Sequence, residues 1–136
     1  MLDPNVIISA LLSTNGAPAR VLRAWIQGAF ELVLSPHLLE ELGRALGYPK
    51  LRKRITEQEA DRVIGWLEGA AVLVADPSGP PSIRSPDPGD DYLIALAEAE
   101  HAVLVSGDQH LLGLAQGLPI LSPVDFLRLL EDGGAS

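Results

Sequence analysis

The stretch 86–112, PDPGDDYLIALAEAEHAVLVSGDQHLL, decides the fold. It reads as an acidic loop, a helix, a short buried strand, and a second acidic turn leading into a helix. Asp90 and Asp91 open a helix whose apolar positions are Leu93, Ile94, Leu96 and Ala97, a spacing close to one helical face. Residues 102–105 form a continuous apolar run with two valines, the length and composition of a buried strand. Asp108 follows at once. A carboxylate just beyond the C-terminal end of a strand stands where open α/β sheets bind their ligands.

Upstream of that stretch the same alternation recurs. Residues 1–2 read as the end of a first strand, short against the usual length of about five residues, with Asp3 at its tip. That shortness raises the expectation that the natural protein begins a few residues earlier. Residues 6–12 are apolar enough for a buried helix, 13–16 make a turn, and 17–27 form a helix with Val21, Leu22, Trp25 and Ile26 on one side, ended by Gly28. Residues 30–34 predict a second strand. Ser35-Pro36 then supplies an N-cap and a proline at the first helical position, and Leu38, Leu39, Leu42 and Leu46 form the buried stripe of the helix that follows. At about 100° per residue, Glu41 lies on the flank of that stripe and Glu40 nearly opposite it.

Tyr48-Pro49 breaks this helix. The run Thr56-Glu57-Gln58-Glu59 has the form of a capping box and opens a helix to Gly69. A third strand is predicted at 71–74. Residues 76–89 hold five prolines and two glycines and read as a long loop. Beyond the opening stretch, residues 116–119 turn the chain, 120–121 form a last strand, and Ser122-Pro123 caps a final helix carrying Phe126, Leu127, Leu129 and Leu130. One domain over 1–132 is expected, with 133–136 a fraying tail. Strands alternating with helices predict an α/β fold: a three-layer α/β/α sandwich with a central, mostly parallel sheet. All strands of such a sheet end at one edge, so Asp3, Glu41, Asp90 and Asp108 are expected to converge.

Composition narrows the chemistry. The 136 residues are 47% hydrophobic but only 4% aromatic, so aliphatic side chains must fill the core. There is no cysteine, which excludes disulfides and thiolate metal sites and fits a cytoplasmic protein. No apolar run approaches the ~18 residues of a membrane span, and no basic-then-apolar leader opens the chain. The net charge is −8, which by itself argues against a polyanionic partner, although a bound cation reverses the field of an acidic site. Lys50, Arg52, Lys53 and Arg54 make a local basic patch; with Arg20 and Arg23 they are the candidates for contact with a phosphate backbone, solvated surface being the plainer account of each.

Any one of Asp3, Asp90 or Asp108 is explained by helix capping alone. Together, three or four carboxylates within several Å repel one another unless a cation is present. Hard oxygen donors suit Mg²⁺ or Mn²⁺, and such an ion serves phosphodiester hydrolysis by holding a phosphate oxygen and stabilising charge on the leaving oxygen. His37, His101 and His110 are not spaced as a metal set.

Asp3-Pro4-Asn5, Ser35-Pro36-His37-Leu38-Leu39-Glu40-Glu41-Leu42, Asp90-Asp91-Tyr92-Leu93-Ile94-Ala95-Leu96-Ala97 and Val105-Ser106-Gly107-Asp108 resemble, in order, the four acidic elements of the PIN-domain family. The likeness is greatest to the VapC-type toxin ribonucleases of prokaryotic toxin–antitoxin pairs. That resemblance implies a Mg²⁺- or Mn²⁺-dependent endoribonuclease, a cognate antitoxin, and a homodimer or higher oligomer. It places catalytic, metal-binding acids at Asp3, Glu41, Asp90 and Asp108, with Asp91 a further ligand and Asn5 and Ser106 orienting the carboxylates through hydrogen bonds. Pro4 departs from the family's hydroxyl residue and removes a backbone N–H, so weak support of Asp3 is expected. Two other readings compete. A phosphoacceptor receiver domain needs a late lysine, and none follows Lys53. A non-catalytic PIN-like interaction module would bind no metal and cut no RNA.

Overall fold

A computed structural model describes residues 1–115 and 117–134. Gln116, in the expected turn, and Ala135 and Ser136, in the expected tail, lie outside the described residues.

The helices begin where local chemistry starts them. Helix α1 (Pro4–Leu12) is capped by Asp3 and has proline at its first position; it buries Val6, Ile7, Ile8 and Ala10. Helix α2 (Ala17–Ile26) follows a short turn. Strand β1 (Val33–Leu34) leads into α3 (Pro36–Leu46), whose first turn is held by Ser35 Oγ accepting from the Leu38 amide at 3.2 Å. Proline at position 49 ends that run but starts the unexpected short helix α4 (Pro49–Arg52), because the missing N–H costs nothing at a first helical position. Helix α5 (Glu57–Ala70) opens with the predicted capping box, Thr56 and Glu59 each accepting the other's amide. Strand β2 (Val72–Leu73) follows, then the long loop, which closes in a single 3₁₀ turn at Pro88–Asp90.

Helix α6 (Asp91–Glu100) ends at His101, whose φ of 50° is left-handed. The backbone then folds back, Ala102 N–H donating to the Ala97 carbonyl at 3.0 Å, which satisfies a helix-end acceptor. Strand β3 (Leu104–Val105), helix α7 (Gln109–Leu112), strand β4 (Ile120–Leu121) and helix α8 (Pro123–Gly134) complete the chain. Helix α8 thus runs two residues into the segment expected to fray.

Every strand pairing is parallel, as the alternation requires. Hydrogen bonds join the strands in two pairs, β1 with β2 and β3 with β4. The N-terminal segment lies along β3: Leu2 bridges Val105, the Val105 amide donates to the Met1 carbonyl at 2.9 Å, and the Asp3 amide to the Val105 carbonyl at 3.0 Å. Strands are shorter than the apolar runs 30–34, 71–74 and 102–105 suggest, although the amides of Val74 and Ser106 still donate across to Leu34 and Leu121. The core runs from Leu2 and Ile7 through Leu34, Leu38, Leu42, Leu93, Leu96 and Leu104, with α1 packed against α2 and α3, α2 against α8, and α3 against α5.

Leu96 is fully buried at the centre of this cluster. Leu96→Ala is expected to cost about 2–5 kcal/mol of stability, read as a lower urea midpoint with an unchanged slope.

Candidate metal centre

Asp3 sits where the N-terminal segment turns into α1, and all its polar atoms are used. Its amide donates to Val105, its carbonyl accepts from Val6, its Oδ1 accepts from the Asn5 amide at 3.0 Å, and its Oδ2 accepts from the Ser106 hydroxyl at 2.8 Å. The weak support expected from Pro4 and the short first strand is therefore corrected. Proline occupies a position whose N–H would have been orphaned, and the strand's few residues are tied to β3. The hydrogen bond from Asn5 to Asp3 is made by the backbone amide. Ser106, fully buried beyond the end of β3, also accepts from the Asp108 amide at 3.0 Å, so one hydroxyl aligns two acids.

Asp108 caps α7 with Oδ1, which accepts from the His110 amide at 2.8 Å. Asp90 is different. It precedes α6 yet makes no capping hydrogen bond, and its Oδ2 is buried without a partner. Capping, the plain explanation for a lone Asp, does not account for it. Burial is the main cause that pushes its pKa up from 3.8 to about 6; the charges of Asp108, Asp87 and Asp3 add to it, as does a hydrogen bond to Asp108 that only the protonated form can donate. Burial likewise raises the pKa of Asp3, with Asp108 adding to the rise and the Asn5 and Ser106 hydrogen bonds opposing it. Asp3, Asp90 and Asp108, distant in sequence, thus feel one another's charge across one small region.

The remaining expected acids have partners of their own. Asp91 turns away from this group: Oδ1 accepts from the Ser85 amide at 2.8 Å and Oδ2 from Arg84 at 3.2 Å, which hold its pKa down. It anchors the proline-rich loop. Glu41 is half-buried on the flank of α3, as its helical angle predicted, and Glu40 is exposed. Glu41 is ion-paired with Arg44 and lies 3.7 Å from His37 Nε2. The charges raising the pKa of Asp90 do not include Glu41; its field is felt by Tyr92, whose pKa is raised by burial first and then by Asp3, Glu41 and Asp90. Glu41 thus stands beside His37, whose ring stacks on that of Tyr92 with centroids 3.9 Å apart. Asp87, which the sequence reading passed over, joins Asp90 instead; its signal was the spacing of acids in Asp87-Pro88-Gly89-Asp90.

Among the described residues, no three His, Asp or Glu side chains close into a ready-made coordination shell. The donors nonetheless fit a Mg²⁺-type ion, which keeps several waters and takes one or two carboxylates. The buried, unpartnered Oδ2 of Asp90 is the atom that such an ion would satisfy.

The basic candidates divide by role. Arg23 donates to the Thr14 carbonyl at 2.8 Å and Arg54 to the Leu12 carbonyl at 3.1 Å, so both clamp the end of α1. Arg52 is half-buried, while Arg20, Lys50 and Lys53 are exposed.

A family model described as a PIN domain matches residues 1–110, a span that includes Asp3, Asp90 and Asp108. An uncharacterized protein of Methanocaldococcus jannaschii is 29% identical over 115 residues, covering 84% of this chain and 73% of that protein.

Because Asp90 has a higher pKa folded than unfolded, the native protein binds more protons than the unfolded chain between pH 3.8 and about 6. Stability contributed by this site therefore falls as pH rises through that window. Asp90→Asn is expected to raise the Tm of metal-free protein at neutral pH, the gain fading as pH drops through the same window. An equal Tm for both proteins at neutral pH would refute the electrostatic account.

Proposed function

The chain belongs to the PIN-domain family, and from that premise we propose that it is a Mg²⁺- or Mn²⁺-dependent endoribonuclease acting at Asp3, Asp90 and Asp108. PIN domains are generally nucleases, and those nucleases typically use divalent ions. The observation that carries the reading is the buried oxygen of Asp90 without a partner, set among other acids. An isolated structural carboxylate would be hydrogen-bonded or exposed; a cation would relieve this one at neutral pH, as a proton does in acid.

A bound divalent ion would supply Lewis-acid polarisation of the phosphoryl group and offset charge on the leaving oxygen. The chain's own residues do the rest. Ser106 and the Asn5 amide fix both oxygens of Asp3, so that carboxylate presents one orientation without rearrangement. Asp108 is held by the His110 amide. Asp90 keeps its proton up to about pH 6 in the free protein and must release it before serving as a ligand, so metal affinity falls on acidification. Glu41 would join the donor set only on leaving Arg44. Asp91 remains an outer group, tied to the loop. Arg20, Lys50 and Lys53 are the side chains exposed to meet an RNA backbone.

RNA as substrate, a cognate antitoxin, self-association and a cytoplasmic setting extend this reading by resemblance to the VapC-type toxins. Among the described residues, no helix is long and apolar enough to cross a membrane.

Purified protein is expected to cleave single-stranded RNA internally with Mn²⁺ or Mg²⁺ and to stop when EDTA is added. Asp3→Asn, Asp90→Asn and Asp108→Asn should each lower the rate roughly 10²-fold or more. Ser106→Ala should lose about 10- to 100-fold, in the manner of groups that orient metal ligands. Cleavage indifferent to metal, or none by the wild type, would refute the proposal and favour the interaction-module reading. The toxin assignment has a separate check: growth arrest on expression, relieved by co-expressing the product of a small adjacent reading frame.

A further inference from the structure

Beside Asp108 lies a cavity of about 330 Å³, bordered by Asn5, Ser9, Pro18, Gly107 and Pro123. That volume is at the low end of the roughly 300–1,000 Å³ usual for small-molecule clefts. Asn5 and Ser9 are exposed and one helical turn apart on α1, the only exposed positions among its first seven residues. An i, i+4 pair projects from one face. The support of Asp3 by Asn5 uses only the backbone, so the carboxamide is left over. Neither the Asn5 carboxamide nor the Ser9 hydroxyl has a hydrogen-bond partner among the described residues. The nuclease chemistry derived above employs neither group.

The rest of the lining says what would fit. Apart from Asp108, which the nuclease reading commits to the cation, its lining carries no charge, so no cationic side chain there draws a phosphate in and a neutral group suits it. Pro18 and Pro123 contribute rigid apolar wall. A flat, neutral ligand with donors and acceptors along its edge matches this combination, and a carboxamide pairs with such an edge through its adjacent donor and acceptor. Resting on the nuclease reading, we propose that this cavity receives a nucleobase of the substrate strand next to the scissile phosphate, its edge read by the Asn5 carboxamide and the Ser9 hydroxyl. It would make cleavage selective for the base at one flanking position.

The test is an NMR titration of the isotopically labelled full chain with AMP, GMP, CMP and UMP in Mg²⁺. One nucleotide is expected to bind about tenfold more tightly than the weakest, as a bidentate side-chain contact allows, and to shift the Asn5 side-chain amide signals. Asn5→Ala and Ser9→Val, both at exposed positions, should level the four affinities, while Asn5→Gln should retain part of the preference. Four equal affinities, a preference that survives both variants, or no shift at the Asn5 side-chain amide would overturn the proposal. None of these readouts needs cleavage. Base selectivity in a protein that cuts no RNA would sink the nuclease reading and leave the pocket standing; cleavage without selectivity would do the reverse.

Discussion

A buried hydrogen bond from the Ser106 hydroxyl to Asp3, between residues 103 positions apart, ties the two ends of the candidate site together. Ser106 stands just past β3, and Asp3 stands where a segment lying along the same strand turns into α1. The parallel geometry puts both strand ends at one edge, and the hydroxyl locks them there. The same oxygen accepts the Asp108 amide, so the third acid takes its place from the same group. In a dry environment such a network is worth having only if each member is satisfied, and at Asp3 each is.

Against that well-satisfied frame, Asp90 is the exception. It enters from a different part of the chain, at the end of a proline-rich loop, and carries a buried oxygen with no partner beside other negative charge. Folding alone gains nothing from this arrangement. A local cost kept in place by a rigid surround marks a candidate binding site. Glu41 shows the other solution to the same problem: it has Arg44 for a counter-ion and so sits near the group without adding to its repulsion.

Much of the fold was legible because its punctuation is local. Ser35-Pro36, Thr56 with Glu59, and the proline-rich run 76–89 mark their boundaries through bonds made within a few residues. At position 49 the break after α3 was legible and the new start was not, for a reason of the same kind: proline ends one helix but is equally suited to begin the next, and only the following backbone chooses. The expected weakness of Asp3 failed because its support comes from Val105 and Ser106, which no local reading of Asp3-Pro4-Asn5 contains. Asp90 and Asp91 were harder still. Adjacent in sequence, Asp90 closes the 3₁₀ turn and Asp91 opens α6, and the difference between an anchor for Ser85 and a member of the acidic group lies in what each side chain meets.

By itself, the sequence determined the element order apart from α4, the parallel α/β class and the shortlist of acids, since periodicity, caps and proline act over a few residues. Only the tertiary structure decided that Asp3, Asp90 and Asp108 feel one another's charge, that Glu41 pairs with Arg44, that Asp91 serves the loop, and that Asn5 borders a cavity. Those outcomes depend on burial and on charges brought close by packing. Both are properties of distance in space, which spacing along a chain does not encode.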